Sequence, residues 1–114
     1  AFSIRNVLGR VGDKGVWPSD EFRDLSTALF RSCFSAAIEL LKICAIALGQ
    51  KQDFFSKFHS GENATLRVLH YPGVNMRPDN GQMGAGAHSD YGSITFLFQQ
   101  GVGGLQILDS RSKA

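Results

Sequence analysis

From Ser19 onward, apolar residues return every three or four positions: Phe22, Leu25, Leu29, Cys33, Ala36 or Ala37, Leu40, Cys44 and Ala47. That step describes one apolar stripe on an α-helix. Ser19 is a good N-cap, and Asp20 and Glu21 follow it where the helix dipole favours negative charge. Gly49 is a plausible C′ stop. The pattern predicts one helix of about 29 residues, roughly 43 Å long at 1.5 Å per residue. Its aromatics, Phe22, Phe30 and Phe34, fall at helical spacing and are expected to pack rather than to form a ligand box. A second, short helix fits Asp53 to Phe58, closed by a turn at Ser60-Gly61, with His59 read as a solvated helix-end residue. Residues 1–17, punctuated by Gly9, Gly12 and Gly15 and ending at Trp17-Pro18, read as irregular structure.

At Ala64 the period changes. Thr65 to Tyr71 is rich in β-formers and ends at Pro72-Gly73, so it reads as a strand. Val74 to Gln82 is a loop containing Pro78 and Asn80-Gly81. Ser93 to Gln99 is a second strand, Gly101-Val102-Gly103-Gly104 turns the chain, and Leu105 to Leu108 is a third. A helical segment, residues 1–62, thus feeds a strand-rich segment, residues 63–114, within one domain of α+β class. There is no internal repeat and no low-complexity segment.

Composition narrows the function classes. At 114 residues the chain forms at most one domain with a modest core. A formal net charge of +2, with no stripe of Lys or Arg, argues against nucleic acid as a partner. The longest nearly apolar run, Ile38 to Leu48, contains Glu39 and Lys42 and is far shorter than a membrane span. Cys33 and Cys44 lie about three helical turns apart on one stripe, too far for a mutual disulfide. They are expected as buried, reduced thiols in a cytoplasmic protein. Asn63-Ala64-Thr65 matches a glycosylation acceptor, but no secretory segment accompanies it.

The candidate chemistry lies in Met83 to Gln99, centred on His88-Ser89-Asp90. Residues two apart on an extended backbone point to the same side. His88 and Asp90 therefore present an imidazole nitrogen and a carboxylate oxygen together, two-thirds of a 2-His-1-carboxylate triad for Fe(II). A polar turn is the alternative for so short a motif. Gly84-Ala85-Gly86 is no dinucleotide fingerprint, because Ser89 occupies the third glycine position and no helix follows. Ser89 faces away from its neighbours, which argues against a hydrolytic triad. A zinc site with His70 as an extra ligand is conceivable, although no Cys pair or H-E-x-x-H supports it.

Several stretches then follow one another in a telling order: Leu66 to Pro72, Gly84 to Gly92, Ile94 to Gln99 and Val102 to Gln106. The succession resembles the isopenicillin N synthase-like branch of the Fe(II)- and 2-oxoglutarate-dependent dioxygenases. Trp17-Pro18, the long helix, Leu48-Gly49 and Asp53-Phe54-Phe55 are similar to the helical segment before the barrel there. The resemblance implies a long helix packed on part of a double-stranded β-helix (jelly-roll) core, incomplete at its C-terminal side. By position it implies His88 and Asp90 as iron ligands. It further implies Tyr71 as a contact of the oxoacid co-substrate and Tyr91 as a residue lining the substrate pocket. Leu69 stands where some members carry an asparagine. The implied activity is oxidation of a small organic substrate with O₂, using Fe(II) and 2-oxoglutarate.

Members of the family also supply a second histidine some fifty residues after the aspartate, followed by an Arg-x-Ser that grips the oxoacid. The present sequence runs only twenty-four residues past Asp90 and contains neither. It is therefore expected to be a fragment that binds Fe(II) or Mn(II) weakly and turns over little. It is also expected to self-associate through uncovered strand edges. The alternative function is a non-catalytic jelly-roll binding or regulatory piece that acts through a partner.

Overall fold

The computed structural model describes residues 1–5, 17–71 and 84–109. The expected loop at 74–82, the strand stop at Pro72-Gly73 and the glycines Gly9, Gly12 and Gly15 lie outside the described residues. In chain order the elements are strand β1 (Phe2–Arg5), helix α1 (Asp20–Ala47), a 3-10 turn (Ser56–Phe58) and strand β2 (Thr65–Val68).

Helix α1 begins where its cap chemistry places it. Ser19 is extended, with φ −159° and ψ 164°, and its hydroxyl accepts a hydrogen bond from the Phe22 amide. One of the four unpaired amides of the first turn is thereby satisfied. The helix closes in a Schellman arrangement. The Gly49 amide donates to the Ile46 carbonyl at 3.0 Å, and the Gln50 amide donates to the Ala45 carbonyl at 2.9 Å. Gly49 takes φ +69°, in the left-handed region where a side chain is disfavoured.

The buried stripe of α1 is not the expected one. Ser26, Phe30, Leu41 and Ala45 are the buried positions, whereas Leu25, Leu29 and Leu40 are exposed. The helix is apolar over two adjoining stripes, and hydrophobic spacing alone cannot say which one meets a neighbour. The choice falls to its partners. Buried Phe30 and half-buried Phe34 stack with centroids 6.4 Å apart. Cys33 is half-buried and Cys44 exposed, both as free thiols, so the expected burial of Cys44 does not hold.

The N-terminal segment corrects a second expectation. Residues 2–5 form a strand rather than irregular structure, paired antiparallel with β2 in the register Phe2↔Val68 to Arg5↔Thr65. Phe2-Ser3-Ile4-Arg5 alternates apolar and polar, and Ile4 turns inward and is buried. Phe2 meets Phe22 edge-on at 5.3 Å, and Trp17 lies 6.0 Å from Phe2 and 6.3 Å from Phe22. This three-ring cluster pins the sheet to the start of α1.

Beyond β2 the chain is less regular than expected. Residues 69–71 leave the ladder early, and the short helix at Asp53 to Phe58 condenses to turns plus the 3-10 segment. Among the described residues no strand hydrogen-bonds to the stretches 93–99 and 105–108, and neither forms a strand. Among the described residues the sheet has two strands. A radius of gyration of 17.6 Å, against about 13 Å for a compact domain of this length, reflects that openness. No helix among the described residues is long and apolar enough to cross a membrane.

Candidate metal centre

Small residues bring the backbone into the candidate site. Tyr71, just past β2, lays its ring over Gly84: a Cβ built on that glycine would stand 3.2 Å from the Tyr71 Cε1. Only a residue without a side chain accepts the ring at this distance undisturbed.

His88 and Asp90 follow on a non-helical stretch. The His88 Nδ1 lies 2.7 Å from the Gly86 carbonyl oxygen. A carbonyl can only accept, so the ring proton sits on Nδ1 and donates to it. In the neutral ring this leaves the lone pair on Nε2, which faces the Asp90 Oδ1 at 3.5 Å. Two acceptors that face each other across such a gap are satisfied together by a cation between them. Two donors about 2.1 Å from one ion stand about 3.0 Å apart at a right angle and about 3.4 Å at the tetrahedral angle. The observed separation needs little closing. The backbone bond to Nδ1 is also the outer contact that holds a metal-ligating imidazole in its tautomer. The residues present therefore fit a divalent metal through one nitrogen and one oxygen donor.

The other expected positions are less assembled. Tyr71 is exposed apart from its contact with Gly84, and Tyr91 is fully exposed, so the described residues around Tyr91 form no pocket wall for it. No group of three or more His, Cys, Asp or Glu side chains is placed to hold a metal among the described residues. His70, the conceivable extra zinc ligand, accordingly does not join His88 and Asp90 in such a group.

A contact that the sequence did not reveal borders the site. Gly92, at φ +102°, turns the chain after Tyr91. Ser93 then meets His59, whose Nε2 lies 2.9 Å from the Ser93 Oγ. The His59 Nδ1 lies 2.8 Å from the Phe55 carbonyl oxygen. His59 is thus half-buried and bonded on both ring nitrogens, not the solvated helix-end residue its position implied. Nothing in its local sequence marks it, because its distant partner lies 34 residues away.

Residues 62–113 match the model of the 2OG-Fe(II) oxygenase superfamily. A 2-oxoglutarate-Fe(II) type oxidoreductase of Aspergillus fumigatus is 37% identical over 98 residues, which cover 82% of this chain and 29% of that protein. A similarly named oxidoreductase of Emericella nidulans is 37% identical over 102 residues, covering 84% and 29%. A UPF0676 protein of Schizosaccharomyces pombe is 50% identical over 80 residues, covering 68% and 24%. The chain thus spans less than a third of the length of these curated relatives. No solved structure matches. The family's name states its cofactor chemistry, Fe(II) with 2-oxoglutarate, and a jelly-roll fold goes with it. The stretch 62–113, with the H-x-D pair inside it, belongs to the 2OG-Fe(II) oxygenase superfamily.

Proposed function

We propose that this chain carries the His–carboxylate half of the iron site of a 2-oxoglutarate-dependent oxidoreductase, one that oxidises a small organic substrate with O₂. The observation that carries the reading is the His88–Asp90 pair. Nδ1 is committed to the Gly86 carbonyl, and Nε2 is left free to face Oδ1 at 3.5 Å. The names of the relatives support oxoacid dependence. Placement in the isopenicillin N synthase-like branch rests on the order of the motifs from Leu66 to Gln106.

In this reading His88 Nε2 and Asp90 Oδ1 hold Fe(II). When bound, Fe(II) supplies the redox chemistry that couples oxidative decarboxylation of 2-oxoglutarate to oxidation of the substrate. The Gly86 carbonyl fixes the His88 tautomer, so the donor lone pair is presented without rearrangement. Tyr71 offers a hydroxyl to the oxoacid, and Tyr91 forms part of the substrate pocket once further chain covers it. Two protein donors bind a metal weakly, since affinity depends on ligand count and geometry. Turnover by these 114 residues alone is accordingly little or none.

The test is an anaerobic titration of Fe(II) into the chain with and without 2-oxoglutarate. The co-substrate chelates metal positions that the protein leaves open, so the two should bind with mutual enhancement and give a visible charge-transfer band absent from either alone. Fe(II) binding that is indifferent to 2-oxoglutarate overturns the reading.

A further inference from the structure

We propose that His59 is a positioning residue for the metal centre, acting as a strut that ties the His88–Asp90 stretch to the end of the helical layer. The inference rests on the metal reading above and extends it to a residue outside the H-x-D motif.

The chemistry of the two contacts defines what the strut does. The Phe55 carbonyl can only accept, so His59 Nδ1 carries a proton and donates to it at 2.8 Å. That bond closes a local turn, four residues long, and fixes the ring plane. Nε2 is then aimed at Ser93, 2.9 Å away. A hydroxyl both donates and accepts, so Ser93 Oγ–H donates to Nε2 of the neutral ring. The same oxygen accepts from Nε2–H if the ring is protonated. The link therefore survives either charge state and acts as a mechanical tie rather than a switch.

Its place in the chain makes it consequential. The stretch 84–93 is held at one end by the Tyr71 ring on Gly84 and at the other by His59 on Ser93. His88 and Asp90 lie between the two. Both are exposed, and their described contacts are the Gly86 carbonyl and each other. With no sheet ladder in this stretch, the separation of the two donors depends on these end fastenings. Ser93 is three residues from Asp90, so releasing it frees the nearer end directly. Loss of a contact made directly to a metal ligand costs 10–100-fold in affinity, and this strut acts one step further out, so its loss should cost up to about tenfold.

The experiment compares His59→Asn, Ser93→Ala, Ser93→Thr and the His59→Asn/Ser93→Ala pair with the unaltered chain, reading Co(II) affinity and amide hydrogen exchange over residues 88–93. Asn keeps a donor near the Nδ1 position for the Phe55 carbonyl but cannot reach Ser93, so the turn at 55–59 stays formed. His59→Asn and Ser93→Ala should each weaken Co(II) binding measurably, by up to about tenfold, and speed exchange over 88–93, with helical content unchanged. The pair should be no worse than either single change. Ser93→Thr retains the hydroxyl and should restore both readouts. Co(II) affinity and exchange untouched by Ser93→Ala, or a pair whose effects simply add, overturn the strut. If the unaltered chain takes up no Co(II), the metal reading fails. The exchange data and the cycle then still decide whether His59 and Ser93 fasten this stretch.

Discussion

Replacing His88 by alanine should separate metal binding from stability. The side chains of His88 and Asp90 are 66% and 53% exposed, and their atoms approach no closer than 3.5 Å. Without metal, a contact of that kind is worth about 0–1 kcal/mol, and exposed substitutions usually fall within about 0.5 kcal/mol. For a domain of this length that is a shift in Tm of less than about 3 °C. The metal-bound state behaves differently. Outer contacts of a metal ligand are worth 10–100-fold in affinity, so removing a donor itself should exceed the upper end of that range. That sets a loss of at least about 100-fold, or about 2.7 kcal/mol. The assay is Co(II) titration followed by visible absorption, paired with thermal melting by circular dichroism. Asp90→Asn, which keeps shape and removes charge, should fall in the same direction. Equal Co(II) affinity in the wild-type and His88→Ala chains refutes the donor assignment. A large fall in Tm without metal would refute it differently, by showing His88 to be a structural residue.

Ser19→Ala removes the hydroxyl that accepts from the Phe22 amide and should cost about 1 kcal/mol, read as a lower urea midpoint with unchanged slope. Gly49→Ala meets no atom within 4 Å, so its cost is purely the left-handed backbone, again about 1 kcal/mol; an unchanged midpoint would mean the Schellman closure is not held in solution. The chain exposes 10311 Å², whereas a compact monomer of 12.4 kDa exposes about 6,100 Å². Apolar side chains are among what is exposed, at Leu97, Phe98, Val102, Leu105, Ile107 and Leu108. Sedimentation should therefore show concentration-dependent association, weakened by Leu97→Lys with Ile107→Lys, and a monomer at all accessible concentrations would contradict it.

What the sequence disclosed and what it hid divide along the distance between interacting residues. The Ser19 cap, the length of α1 and the Gly49 closure were legible because each depends on residues within five positions of one another. The H-x-D pair was legible for the same reason: Gly86, His88 and Asp90 need only the period of an extended chain to come together. The wrong stripe of α1, the unseen β1 and the double bonding of His59 are all matters of distant partners. Four alternating residues at 2–5 carry little signal until 65–68 lies beside them. Apolar runs at 93–99 and 105–108 read as strands from β-propensity, yet a strand exists only where another backbone pairs with it. The same division bears on function. The local half of the proposed metal site can be written in three residues, but holding two exposed donors at a working separation is a non-local task. In that proposal the task falls to Tyr71 on Gly84 and to His59 on Ser93, contacts that no motif encodes. Substitutions at those four positions should therefore alter metal affinity while leaving every residue of the motif in place.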